Sequence, residues 1–232
     1  MWRGEPLFGA YILQHAEQGL GDTLQFVRYV PLVAARGGKV VLEIPADLYG
    51  LLSGIDGAAE VVVRGDSLPN FAWHCPLLSL PLAFSTDLAT IPANVPYVHA
   101  EPAAAHSWSQ RLAGATGLRV GLVWAGNPVH TRDPQRSVAL SKLTPLLQIP
   151  GATFYSLQKG PAALQLRELP EEFQLIDLSS HLTSFSDSAA LLSSLDLLIA
   201  VDTAAVHLAG ALGRPGMDPA DPHAGLALAA GS

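Results

Sequence analysis

Among the 232 residues there is one cysteine, Cys75. A single thiol excludes an internal disulfide and any metal site built from several cysteines, and a buried thiol is its default reading. Charge is sparse as well: 14% of residues are charged, 13 of them Lys or Arg and 20 Asp or Glu, for a formal net charge of -7. The basic residues are scattered, so no stripe attracts a nucleic-acid backbone, and nucleic acid is not an expected partner. No window reaches the roughly 18 uncharged apolar residues of a membrane span, and no basic region, apolar core and cleavage site open the chain. A cytoplasmic chain without a transmembrane segment is expected. Walker loop, Asp-x-Asp pair and Ser-His-Asp arrangement are missing too, which disfavours a metal-dependent nucleophilic hydrolase and gives no metal site.

What is present is an apolar, globular chain with 49% hydrophobic residues. Apolar runs alternate with helical patterns almost throughout. Strands are expected at Tyr11 to Ala16, Lys39 to Ile44, Glu60 to Arg64, Trp73 to Leu78, Arg119 to Trp124, Thr153 to Gln158, Gln174 to Leu178 and Leu197 to Asp202. Most are continuous rather than alternating, as in parallel sheets covered on both faces. Leu20, Leu24, Val27, Val30 and Ala34 fall on one helical face, and Phe185, Ala189, Leu192 and Leu195 on another. The alternation implies doubly wound α/β sheets. It breaks between Pro81 and Ala105, so two lobes are expected, 1–105 and 106–215, joined near residues 99–117. Residues 1–6 carry no element of their own and read as the tail of something larger.

Ligands of doubly wound sheets bind where strand ends lead into helix N-termini. The first such place is Glu17-Gln18-Gly19-Leu20-Gly21-Asp22. Its glycines permit a tight turn, and Asp22 serves either as a helix cap alone or as a carboxylate that takes a proton from a hydroxyl in the cleft. A dinucleotide fingerprint would place a ribose-binding acid at Glu43, but its third glycine would fall at Leu24. The second place is Val120 to Pro128, with Trp124 and Asn127, followed by His130, Arg132, Asp133, Arg136 and Ser137. It reads either as a solvated surface loop or as a mobile loop over an anionic ligand. The third runs from Leu198 to Gly210, where Asp202-Thr203 precedes the small residues Ala204 and Ala205. Free N-H groups there suit phosphate, Thr203 adds a hydroxyl, and His207 is either a core residue or part of the site. Gln158-Lys159-Gly160 ends another strand, with Lys159 able to neutralise phosphate.

The ordered set EQGLGDTLQFVRY, VGLVWAGNP, RSVAL, SLQKG and VDTAAVHLAGALGRP resembles the catalytic region that follows tetratricopeptide repeats in bacterial glycosyltransferase-like proteins. That region is similar to the family 9 glycosyltransferases, the ADP-heptose:lipopolysaccharide heptosyltransferases. The resemblance runs from about Trp2 to Pro215. It implies a GT-B-like architecture of two Rossmann-like lobes, with the acceptor on the first and a nucleotide-sugar on the second. It implies Asp22 as general base on an acceptor-side turn of Gln18, Gly19 and Gly21. It implies donor binding by Asp202, Thr203, Ala204, His207, Lys159, Gln158, Trp124, Asn127 and Arg136. The transfer would be metal-independent and need no cofactor beyond the nucleotide-sugar substrate. The acceptor would be a glycan or protein hydroxyl, with peripheral placement at the inner membrane allowed.

Two departures stand out. Ala204 lies where the family often has glycine, and after Pro215 the chain reads GMDPADPHAGLALAAGS instead of an apolar strand. Residues 216–232 are therefore expected to be an atypical, disordered tail and the second lobe to be incomplete. That leaves an inactive remnant or interaction module as an alternative to an enzyme, and an NAD(P)-dependent dehydrogenase or epimerase as a further one.

Overall fold

The computed structural model describes residues 1–129 and 133–219. His130 and Arg132 of the second place, and the expected tail from residue 220 onward, lie outside the described residues. The first lobe runs β1 (Tyr11–His15), α1 (Leu20–Phe26), α2 (Val30–Ala35), β2 (Lys39–Ile44), α3 (Ala46–Leu52), β3 (Ala58–Val63), β4 (Trp73–Pro76) and α4 (Leu80–Ala83). Its four strands are parallel in the order β3-β2-β1-β4. The second lobe runs α5 (Pro102–Arg111), β5 (Leu118–Val123), α6 (Asp133–Arg136), α7 (Thr144–Leu147), β6 (Ala152–Ser156), β7 (Ile176–Asp177), α8 (Phe185–Leu192), β8 (Leu197–Ala200), α9 (Ala204–Ala211) and β9 (Gly216–Met217). Its five parallel strands follow the order β7-β6-β5-β8-β9. The chain has the α/β, GT-B-like architecture of two Rossmann-like lobes.

Each expected strand forms, because runs such as Val40-Val41-Leu42 are buried on both faces of a sheet. The expected face Leu20 to Ala34 forms too, but not as one helix. A 3-10 turn at Val27–Tyr29 separates α1 from α2. Pro31 lacks the N-H that would bond the Val27 carbonyl, and Val30 closes a tighter turn onto that carbonyl instead. Leu24, Val27, Val30 and Val33 still bury fully against Ile12, Val40, Leu42 and Ile44. Cys75 lies in the same core, where burial pushes its thiol up to about 11.

Three findings alter the expected outline. The segment from Trp2 is anchored: Trp2 is 1% exposed and its backbone N-H donates to the His74 carbonyl on edge strand β4. Helix α5 crosses the expected 105/106 boundary and packs on α8, with Ser194 Oγ donating to the Ala105 carbonyl. The sheet also continues past Pro215. Gly216 and Met217 pair with Leu198 and Ile199 as β9, which corrects the expectation of a structureless stretch beginning at 216. Backbone pairing with a buried neighbour strand decides this, whatever the side-chain pattern.

The lobes are packed together. Residues 92–98 run between them: Tyr97 donates its hydroxyl to the Leu24 carbonyl and takes a bond from Arg28 Nη2, while the Tyr97 and Val98 N-H groups both reach the Ala211 carbonyl. Within the second sheet, Arg119 clasps Asp196 through two bonds of 2.8 and 3.0 Å at the starts of β5 and β8. Each sheet reverses its order once, between β1 and β4 and between β5 and β8. Clefts form at such reversals.

Candidate functional site

One cleft of about 1490 Å³ opens between the lobes at these strand ends. On the first-lobe side Gln18, Gly19, Gly21 and Asp22 line it; on the second-lobe side Asn127, Arg136, Gln158, Lys159, Asp202, Thr203, Ala204 and His207 do. Of the residues assigned to donor binding or the acceptor-side turn, Trp124 does not line it.

Asp22 sits in the first turn of α1, and its Oδ2 accepts the Gly19 backbone N-H at 3.1 Å. The carboxylate therefore does cap the turn, and it also lines the cleft. Thr23 closes the turn from inside by donating its hydroxyl to the Gly19 carbonyl. Gly21 is required by the opposite lobe. A Cβ there would lie 2.7 Å from His207 Cδ2 and 3.5 Å from Ala204 Cα. Only glycine lets α1 and α9 approach this closely.

Across the cleft, strand β8 delivers Asp202 and Thr203 to the start of α9. Thr203 holds the extended conformation of an N-cap, φ -141° and ψ 170°, yet its hydroxyl caps nothing. The buried Oγ1 makes no hydrogen bond among the described residues. Ala204 and Ala205 present the first-turn N-H groups to the cleft, where partial positive charge collects. His207 Nε2 lies 3.5 Å from Asp202 Oδ1.

Arg136 braces this turn. Its Nη1 donates to the Asp202 carbonyl at 2.7 Å, and its Nε reaches Asp133 Oδ1 at 3.3 Å. Gly126 makes room for the guanidinium, since a Cβ there would lie 2.5 Å from Arg136 Nη2. Gln158 is 2% exposed and its amide is fully engaged. The oxygen accepts the Trp124 and Ala125 N-H groups, and the nitrogen donates to the Ala125 and Lys159 carbonyls. It ties the end of β5 to the end of β6. Trp124 is wholly buried among Val120, Leu122, Leu140 and Phe154, so it anchors the strand end from beneath. Lys159 Nζ donates to the Leu182 carbonyl at the mouth of the cleft.

The sequence reading missed the start of α8, which also enters the cleft through Thr183, Ser184 and Ser186. There Asp187 Oδ2 accepts four bonds, from the backbone N-H and hydroxyl of both Thr183 and Ser184. The Thr183 hydroxyl, before the others, holds the Asp187 carboxyl below its usual range. Ser184 followed three residues later by Asp187 is a capping box, and that spacing was the available signal. Gly50 on α3 faces this helix, 3.1 Å from Ser186 Oγ for a Cβ placed there. Among the described residues, no three His, Cys, Asp or Glu side chains gather to hold a metal ion.

No family model matches the chain. It is 25% identical, over 240 aligned positions, to Protein FlbA of Caulobacter vibrioides, an alignment covering 92% of this chain and 40% of that protein. The chain thus spans 40% of the length of this curated relative. Among solved structures it is similar to a glycosyl transferase family 9 protein from Veillonella parvula, with a TM-score of 0.64, 13% identity and coverage of 92% and 83% of the two chains. It is similar to E. coli ADP-heptose lps heptosyltransferase II, with a TM-score of 0.61, 13% identity and coverage of 89% and 83%. The fold is that of these transferases. A third likeness, to the dodecameric iron-containing glycosyltransferase TibC of E. coli, has a TM-score of 0.60 at 11% identity and covers 90% of this chain and 57% of that one.

Proposed function

We propose that this chain is the catalytic region of a family 9 type glycosyltransferase, one that moves a sugar from a nucleotide-sugar to a glycan or protein hydroxyl. The observation that carries the reading is the juxtaposition of a cleft-facing carboxylate with a helix N-terminus. Asp22 and the start of α9 meet through Gly21 and His207, with a buried Thr203 hydroxyl beside them that has no partner among the described residues. An inverting transfer asks for this pair: a base for the acceptor hydroxyl and fixed positive potential for the leaving diphosphate.

In this reading Asp22 accepts the acceptor's proton through the oxygen that Gly19 does not hold. The N-H groups of Ala204 and Ala205 and the Thr203 hydroxyl donate to the diphosphate. Arg136 adds positive charge from behind the Asp202 carbonyl, and Lys159, once released from Leu182, adds more. The chemistry is thereby written without a metal. Gln158 and Trp124 position these loops. Glu43, on which a dinucleotide reading depends, does not line the cleft. Among the described residues no helix is long and apolar enough to cross a membrane. We place the reaction in the cytoplasm, with the acceptor met there or at the inner membrane surface.

Calorimetric titration with ADP, GDP and UDP tests the donor assignment. The wild-type chain is expected to bind at least one, and Asp202→Ala combined with Thr203→Ala is expected to abolish that binding. Equal binding by both proteins, or by neither, would sink it.

A further inference from the structure

The cleft of about 1490 Å³ exceeds the roughly 300–1,000 Å³ that one small ligand fills, so it has room for a donor and an acceptor together. Its two walls differ in charge. Arg136 and Lys159 line it from the second lobe. Among the described residues, no lysine, arginine or histidine of the first lobe lines it; Arg28, Arg36, Lys39 and Arg64 all lie elsewhere. The charged side chains on the first-lobe wall are two carboxylates, Asp22 in the first turn of α1 and Asp47 in the first turn of α3.

Two amides complete the polar part of that wall. Gln18 lies on the turn before α1, and Gln25 follows Asp22 by one turn along the helix. Neither amide, nor the Asp47 carboxylate, makes a hydrogen bond among the described residues, and Asp22 spends one oxygen on the Gly19 N-H. An amide offers two N-H donors and a carbonyl acceptor, whereas a carboxylate only accepts.

These groups argue about what the wall takes. A phosphate or carboxylate on the acceptor would meet two like charges with no cation to offset them, and the carboxylates have no proton to give it. Anionic groups are drawn to the opposite wall, where Arg136, Lys159 and the start of α9 stand. A hydroxyl suits the first wall, because it donates to Asp22 or Asp47 and accepts from Gln18 or Gln25. A serine or threonine side chain brings one hydroxyl, which Asp22 takes, and leaves three polar groups without a partner. A sugar ring brings several on adjacent carbons.

We propose that the acceptor is the uncharged sugar end of a glycan, held through its hydroxyls by Gln18, Gln25 and Asp47, with no phosphate or carboxylate beside the hydroxyl that reacts. The inference rests on the reading of Asp22 as the base and of the second lobe as the donor side. In the transfer the acceptor oxygen bonds the donor's anomeric carbon as the bond from that carbon to the diphosphate breaks. The hydroxyl proton passes to Asp22, and the leaving diphosphate keeps the electron pair.

The test compares matched pairs by saturation-transfer NMR: the methyl glycosides of glucose, galactose and mannose against those of the corresponding uronic acids. At least one neutral glycoside is expected to bind the wild-type chain about tenfold tighter than its uronide, a gap of about 1.4 kcal/mol. In Asp47→Lys that gap falls below about twofold, and in Asp47→Asn, which keeps the side chain's shape, it narrows to about threefold. Asp47 is exposed, so both variants are expected to fold, and urea midpoints report that they have. A uronide that binds as well as its neutral partner, or a gap that survives in both variants, overturns the proposal. So does a wild type that binds none of the glycosides, whether or not it binds the peptide Gly-Gly-Ser-Gly-Gly with blocked ends, whose binding would mark a polypeptide acceptor. A wild type that binds ADP but prefers uronides sinks the acceptor class and leaves the proposed function standing; one that prefers neutral glycosides yet binds none of ADP, GDP and UDP does the reverse.

Discussion

Thr203→Val separates a ligand-binding hydroxyl from a structural one. The hydroxyl stands at the N-cap of α9, where a side-chain oxygen ordinarily accepts a first-turn N-H, and losing such a cap costs about 1 kcal/mol. Here Oγ1 is buried and makes no bond among the described residues. A buried hydroxyl without a partner costs about 1–3 kcal/mol in desolvation, and valine of nearly the same shape removes that cost. The variant should therefore equal or exceed the wild type in stability, by up to about 1 kcal/mol, measured as the urea midpoint at constant slope. Its affinity for the nucleoside diphosphate moves the other way. A hydrogen bond to a charged phosphate oxygen contributes about 1.5–3 kcal/mol, so Kd should rise roughly 10- to 150-fold. Stability rising while affinity falls has no counterpart in a plain capping residue. A destabilised variant with unaltered ADP affinity would refute the reasoning.

Three other outcomes are expected. Asp22→Asn keeps an oxygen for the Gly19 N-H, so the urea midpoint should hold within about 0.5 kcal/mol; sugar transfer, followed with a nucleotide-sugar donor, should fall about 10²- to 10⁴-fold without change in ADP affinity. Asp196 is held below its usual range chiefly by the Arg119 guanidinium, so its contribution is present above about pH 4 and lost as pH falls through the folded value. Asp196→Asn should then cost about 1 kcal/mol at pH 7, since both side chains are about a third exposed, and should flatten the loss of stability as pH falls below about 4 in urea titrations. Gln14 is wholly buried in β1 beside Leu42 and Cys75, with neither amide atom bonded among the described residues. Gln14→Leu should raise stability by about 1–3 kcal/mol in the same measurement, and a fall would mean that the amide has a partner.

The strands were legible because a parallel sheet buried on both faces demands continuous apolar runs. Helix boundaries were less so. One apolar face from Leu20 to Ala34 says nothing of the 3-10 turn that Pro31 imposes. β9 escaped notice because two residues, Gly216 and Met217, carry no period at all; they pair because β8 leaves them a neighbour. In the site, residue types at strand ends pointed to residues that gather at one cleft, but not to the contacts each makes there. Trp124 and Gln158 both sit at such ends, and only their burial and bonds show that they also hold the loops. Thr183 to Asp187 was readable as a cap, yet its place in the cleft depends on how α8 packs across from α3.

Two of the glycines that line the cleft act on the start of α9. Gly21 has no bond to make with the second lobe; it leaves space for the His207 ring, and that space fixes how near Asp22 stands to the start of α9. Gly126 leaves space in turn for Arg136, whose bond holds the Asp202 carbonyl and so the turn that carries Thr203. Both contacts bear on the same few residues, 202 to 207, from opposite lobes. On the proposed reading, the spacing between proton acceptor and leaving-group site would thus be set by packing at van der Waals distance, which tolerates little play. A near-attack geometry asks for that tolerance, because displacements of about 1 Å lower rates on the order of 10²-fold. A methyl group added at position 21 would push against the His207 ring at 2.7 Å, so on the proposed reading Gly21→Ala is expected to lower sugar transfer, followed with a nucleotide-sugar donor, through separation of the lobes without a direct contact to Asp22.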